Sequence, residues 1–144
     1  RQDIGGEVIM NGNNNGSAWK VGIQDPSSFI DKPIYVINNL DYKFLSIATS
    51  GEYRNFKILD DGKKITHTIN PETTSSISTK VSSVTVVHES SATYADAYAT
   101  ALNVMGGTKA IEFANDNDIA VMLTLTNEEG TNLKFSNKWY NLKL

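Results

Sequence analysis

Short runs of branched and aromatic residues alternate with polar breaks along most of this chain, the rhythm expected of strands. "EVIM" at 7–10 and "WKVGI" at 19–23 flank the Gly/Asn-rich stretch "NGNNNGSA", which predicts a hairpin with a polar connection. "PIYVIN" and "YKFLSIATS" predict two more strands, the second ending in a turn at Gly51, where the character changes from apolar to polar. "DDG" at 60–62 predicts a hairpin tip between "NFKIL" and "KKITHTI". Pro71 then ends the strand, because proline has no amide hydrogen for the ladder, and "ETTSSIST" reads as a polar loop. The sheet resumes at "VSSVTVV".

Helical periodicity replaces this rhythm only in "SATYADAYATALNVMG" and "GTKAIEFANDN", divided by Gly106 and Gly107, which suit a helix end and a restart. Strand character returns in "IAVMLTLT" and "NLKFSN". Strands, a helical pair and strands again lack the regular alternation of a doubly wound parallel fold. The order predicts an α+β domain with a mostly antiparallel sheet and the helical pair near its C-terminal third. No internal repeat interrupts it.

Composition narrows the function classes. A chain of 144 residues with 40% apolar content can bury one core, so a single domain over 1–144 is expected. A net charge of −3, a pI near 5.3 and the lack of any Lys/Arg run argue against a nucleic-acid footprint or a polybasic membrane patch. Without cysteine there is no disulfide, thiolate metal site or cysteine nucleophile. The longest apolar run, "IAVMLTL", is too short to span a bilayer, and "RQDIGGEV" has no signal-peptide core.

The first helix carries the candidate chemistry. Tyr94, Tyr98, Ala101, Leu102 and Met105 recur at helical spacing and are expected to face inward, while Thr93, Asp96, Thr100 and Asn103 form a polar stripe. Two readings of the stripe stand. Thr93 would cap the helix with Asp96 as the acidic partner of a capping box. Alternatively, Asp96 and Thr100 offer two hard oxygen ligands from consecutive turns, a partial shell for Mg²⁺ completed by water and substrate phosphate. Other polar residues have plainer readings: His88 as a packed or surface histidine, "NDND" at 115–118 as the polar end of a helix without the ligand spacing of a calcium loop, and Arg54 as a solvated charge. His67 at a strand end would by itself read the same way.

Taken in order, "SIATSGEYRNFKILDDGKKITHTINPETTSS", "VSSVTVV" and "ADAYATALNVMGG" resemble the marker segments of the ApbE family of FAD:protein FMN transferases. Those are a Thr/Ser-Ser-Gly turn followed by an aromatic, a Gly-Lys hairpin, a His-x-Ile-Asp-Pro-x-Thr-Gly loop, a Ser-Val-Thr-Val strand and an Asp-Ala-x-x-Thr-Ala helix ending in Gly. "IGGEVIMNG" and "WKVGIQDP" resemble the family's Gly-Gly strand and its Trp-x-Val-x-Ile-x-x-Pro stretch. Together these matches cover most of the chain.

The resemblance implies an enzyme that binds FAD and, with Mg²⁺, moves its FMN half onto a threonine of an acceptor flavoprotein, releasing AMP. Asp96 and Thr100 match the family's metal-binding Asp and Thr, so Asp96 is also a catalytic candidate. His67 matches the histidine near the cofactor, a second catalytic candidate. Thr68 and Ile69 fall in the loop that contacts the flavin nucleotide, and Thr49, Ser50 and Gly51 match the turn bordering the same pocket. Phosphoryl transfer needs positioning and charge neutralisation more than covalent help, which suits these residue types.

Departures from the pattern are local. Asn70 stands where the loop has a carboxylate, and Thr74 and Ser76 stand where it has Gly and Pro, so the loop must take another path. The match covers the family's C-terminal half. Segments supplying much of the flavin and adenine contact, and one backbone metal ligand, are therefore expected ahead of Arg1, and the fragment alone is expected to be inactive. The resemblance also implies an extracytoplasmic location, periplasmic or at the cell surface, with any membrane link through a lipid anchor upstream. Two other readings are compatible with the residues: a degenerate member that binds or hydrolyses flavin nucleotide, suggested by "NPETTSS", and a non-catalytic extracytoplasmic interaction module.

Overall fold

The computed structural model describes residues 2–4, 6–26, 32–51, 56–58, 64–66, 81–127 and 130–144. Along these run strands β1 (Gln2–Ile4), β2 (Glu7–Met10), β3 (Lys20–Gln24), β4 (Pro33–Asn38), β5 (Leu45–Gly51), β6 (Phe56–Ile58), β7 (Lys64–Thr66) and β8 (Val81–His88). Helices α1 (Ala92–Met105) and α2 (Gly107–Asp116), strands β9 (Ala120–Asn127) and β10 (Gly130–Phe135), and helix α3 (Asn137–Asn141) follow.

Six strands form one sheet in the order β1-β2-β5-β8-β9-β10, with every neighbouring pair antiparallel. The α+β, mostly antiparallel expectation is met. β8 and β9 are buried over nearly their whole length, as strands covered on both faces must be, and their side chains alternate between two cores. Val84, Val86, Val121 and Leu123 pack beneath the helices with Ala95, Ala99, Leu102, Ala110 and Ala114. Val87, Ala120 and Met122 turn to the other face, where they meet Val21, Ile23 and Ile37 of the β3–β4 hairpin and Trp139 of α3.

The expected pairing of "EVIM" with "WKVGI" is overturned. β2 lies between β1 and β5, with Val8 opposite Ile47 and Met10 opposite Leu45, whereas β3 pairs with β4 in a separate two-stranded sheet. The connection itself explains why: Asn14 and Ser17 exchange backbone hydrogen bonds of 2.8 and 3.0 Å, closing a small turn of their own rather than aligning the flanking strands. The other expected hairpin is present as β6 against β7, Phe56 opposite Thr66 and Ile58 opposite Lys64, while its "DDG" tip lies outside the described residues.

Two elements were not expected. β1 is a three-residue edge strand whose composition gives little signal. α3 begins where "NLKFSN" reads as strand, because Ser136 stops the ladder: its hydroxyl donates to the Ile119 carbonyl (2.7 Å) and accepts from the Val121 amide (2.9 Å). Trp139 is thereby buried against Phe135 and Tyr35.

Candidate functional site on helix α1 and the end of strand β5

The turn from β8 into α1 is built by a histidine. His88 Nδ1 accepts hydrogen bonds from the amides of Ser90 (3.2 Å) and Ser91 (3.1 Å), leaving Ser91 in extended conformation to cap the helix by accepting from the Tyr94 amide (3.3 Å). The capping role expected of Thr93 therefore belongs to Ser91, and Thr93 is an exposed residue of the first turn. At the other end, Gly106 takes φ 75°, a conformation that favours glycine, and its amide closes onto the Leu102 carbonyl at 3.2 Å.

The buried line of α1 is Ala95, Ala99, Leu102 and Asn103. This corrects the expected inward face in three places. Tyr94 is 58% exposed, Met105 is 40% exposed and Ala101 is exposed, whereas Tyr98 is half-buried and packs against the core beneath the helix. Close approach of the helix to β5 and β8 selects alanines for the contact line, so the large rings are displaced to one flank, where His88, Tyr94 and Tyr98 stack in series with centroids 5.6 and 6.2 Å apart. Asp96 and Thr100 lie on the opposite flank, both exposed and one turn apart.

Asn103 continues that flank by one more turn but is turned inward, 1% exposed. Its Nδ2 donates to Ser50 Oγ at 3.5 Å, while its Oδ1 has no partner among the described residues. A buried amide oxygen left unpaired costs about 1–3 kcal/mol, so among the described residues Asn103 contributes less to stability than an apolar side chain of its size would.

Ser50 belongs to the end of β5 that carries "TSG". That end is tied on both faces of the sheet: Thr49 Oγ1 lies 2.9 Å from Thr85 Oγ1 on β8, and Ser50 meets Asn103 of α1. The β5 end thus sits beneath the C-terminal half of the helix bearing Asp96 and Thr100. Thr49, Ser50 and Gly51 are half-buried. His67, Thr68 and Ile69, with Asn70, Thr74, Ser76 and Arg54, lie outside the described residues. Among the described residues, no group of three His, Cys, Asp or Glu side chains draws together. An ion on α1 would therefore depend on one carboxylate and one hydroxyl plus oxygens from elsewhere, a donor set that fits Mg²⁺.

Asn103 escaped the sequence reading as a site residue. Its spacing of three from Thr100 placed it in the stripe, and its neighbours Leu102 and Ala99 were the only sign that it faces the sheet.

The model of the ApbE family matches residues 3–123. The chain belongs to the ApbE family. It is 38% identical over 129 residues to the FAD:protein FMN transferase of Vibrio cholerae serotype O1, covering 89% of this chain and 37% of that protein. The Haemophilus influenzae protein of the same name is 33% identical over 141 residues, covering 97% of this chain and 40% of that one. The chain thus spans well under half the length of these relatives. Among solved structures, the flavin transferase ApbE from Vibrio cholerae matches with a TM-score of 0.78 at 32% identity over 96% of this chain and 42% of its own. The apo flavinyl transferase ApbE of Pseudomonas stutzeri matches with a TM-score of 0.77 at 28% identity, covering 97% of this chain and 42% of that one. The helix-backed antiparallel sheet is accordingly an ApbE fold element.

Proposed function

We propose that the protein containing this chain is a Mg²⁺-dependent FAD:protein FMN transferase, attaching the FMN half of FAD to a threonine of an acceptor flavoprotein. The relatives' names support FAD as substrate and a protein as acceptor. The observation that carries the reading to this chain's residues is the flank of α1, where Asp96 and Thr100 stand exposed one turn apart above the tied end of β5.

Asp96 and Thr100 would hold the ion, which when bound neutralises charge on the pyrophosphate oxygens. Asp96 supplies the negative charge for it and Thr100 a neutral oxygen. Thr49, Ser50 and Gly51, fixed by hydroxyl contacts on both faces of the sheet, would form a rigid wall of the nucleotide pocket. His67, Thr68 and Ile69, which follow β7 in the chain, would contact the cofactor. As a C-terminal domain of the transferase, residues 1–144 would bind FAD weakly alone and turn over only with the rest of the protein. The enzyme would have an extracytoplasmic location, with any membrane link through a lipid anchor outside this chain.

The test is incorporation of FMN into a threonine-bearing acceptor by the full-length protein supplied with FAD, with and without Mg²⁺. Covalent flavin on the acceptor, dependent on Mg²⁺ and lost when the target threonine is replaced, is the expected result. Binding of FAD without transfer would favour a degenerate flavin-binding member, and release of free FMN and AMP would favour hydrolysis.

A further inference from the structure

Asn103 is the place on α1 where stability has been given up. Every other buried residue of that helix is Ala or Leu, and a leucine would fill the position without stranding a polar atom. Instead one end of the Asn103 amide reaches Ser50 at 3.5 Å and the other end is buried without a partner among the described residues. Exchanging the amide's oxygen and nitrogen leaves the same situation: one end meets Ser50, the other meets no partner among the described residues. Asn103 is also the next residue along the flank that carries Asp96 and Thr100, and Ser50 is the central residue of the strand end Thr49–Gly51, whose Thr49 is pinned to Thr85 on the far face.

We propose that Asn103 is a positioning residue: through Ser50 it locks the height and rotation of α1 over β5, and so sets the distance between the Asp96/Thr100 flank and the Thr49–Gly51 wall. This rests on the transferase reading given above, in that the two surfaces it aligns are the ones that would hold the ion and border the nucleotide. The contact is long and half-satisfied, so it holds position without adding stability. Removing it should improve the core while loosening the site, the reverse of what an ordinary buried residue does.

In the full-length protein, Asn103→Leu should melt at or above the wild-type temperature. Amide hydrogen exchange at Ser50 and Gly51 should nevertheless accelerate, and the Mg²⁺ concentration giving half-maximal FMN transfer should rise by about tenfold or more. Ser50→Ala breaks the same contact from the other side and serves if leucine is not accommodated. The double variant should shift half-saturation no further than the larger single. Exchange at Ser50 and Gly51 that slows in step with a raised melting temperature would overturn the proposal, whether or not the protein transfers FMN. A wild type that transfers no FMN would overturn the activity instead, and the exchange comparison would still decide the coupling.

Discussion

The Ser46 hydroxyl of β5 lies 2.8 Å from the Ser91 carbonyl, and Ser91 is the residue that caps α1. The same hydroxyl lies 3.0 Å from the His88 carbonyl, so one buried side chain on the sheet holds both the end of β8 and the start of the helix. Together with the Asn103–Ser50 contact near the helix's other end, β5 grips α1 at two points four residues apart along the strand.

Removing the first grip should cost stability. Ser46→Ala removes one hydroxyl donor shared by the part-buried carbonyls of His88 and Ser91, the latter still bonded to the Ala95 amide, and should destabilise by about 0.5–1.5 kcal/mol. Ser91→Ala, which strips the cap, should cost about 1 kcal/mol, whereas Thr93→Ala should stay within about 0.5 kcal/mol because Thr93 caps nothing. Urea unfolding of the three variants checks the order. A Thr93→Ala loss equal to that of Ser91→Ala would return the cap to Thr93.

The tight helix–sheet contact has its own consequence. Ala99 is 1% exposed and faces the sheet, so Ala99→Leu must force α1 away from β5 and β8 at a cost of about 1–3 kcal/mol. Tyr94→Ala, on the exposed flank, should cost less than about 1 kcal/mol, the loss of its stacking with His88 and Tyr98. Thermal melts of the two variants distinguish the observed face from the tyrosine-inward face, which reverses their order.

These two faces show what the sequence could and could not convey. Short runs of branched and aromatic residues between polar breaks were enough to place nine of the ten described strands, all but β1. They could not say that β2 would choose β5 over β3, since pairing is settled between residues far apart, such as Val8 and Ile47. In α1 the large tyrosines dominated the pattern, yet close packing gave the contact to alanines. Asp96 and Thr100 were legible through spacing within one helix. The Ser50–Asn103 contact was not, because 53 positions separate its members and neither residue is unusual alone.

Lys138 of α3 joins three segments: its Nζ lies 3.0 Å from Asp118 Oδ2, after α2, and 3.6 Å from Glu89 Oε2, in the turn before α1. The hydrogen bond to Asp118, helped by the charges of Asp118 and Glu89 and opposed by burial, holds the ammonium above the ordinary lysine value. A folded value above the unfolded one contributes stability that is complete below about pH 10.4 and is lost as the pH climbs through the folded value. Asp118 is well exposed, so the contribution should be no more than about 1 kcal/mol. Lys138→Met should lower the unfolding free energy by that much at neutral pH and low salt. The deficit should shrink in high salt and as the pH rises above the unfolded lysine value, which paired denaturation curves would read.

The decisive variants are those of the α1 flank, made in the full-length protein. Asp96→Asn keeps the shape and removes the charge that would hold Mg²⁺, and Thr100→Val keeps the bulk and removes the hydroxyl. Both positions are exposed, so neither change should move the melting temperature much. Each should raise the Mg²⁺ requirement of FMN transfer and depress its rate, Asp96→Asn more severely because it removes the only formal charge the pair supplies. Since both oxygens would serve one ion, the double variant should lose much less than the product of the two single losses, whereas independent roles would multiply. FMN transfer measured against Mg²⁺ concentration for the wild type, the two singles and the double separates these cases, with melting temperatures as the control for folding. A wild-type Mg²⁺ dependence in Asp96→Asn would end the metal assignment and leave Asp96 as a solvated residue of the helix.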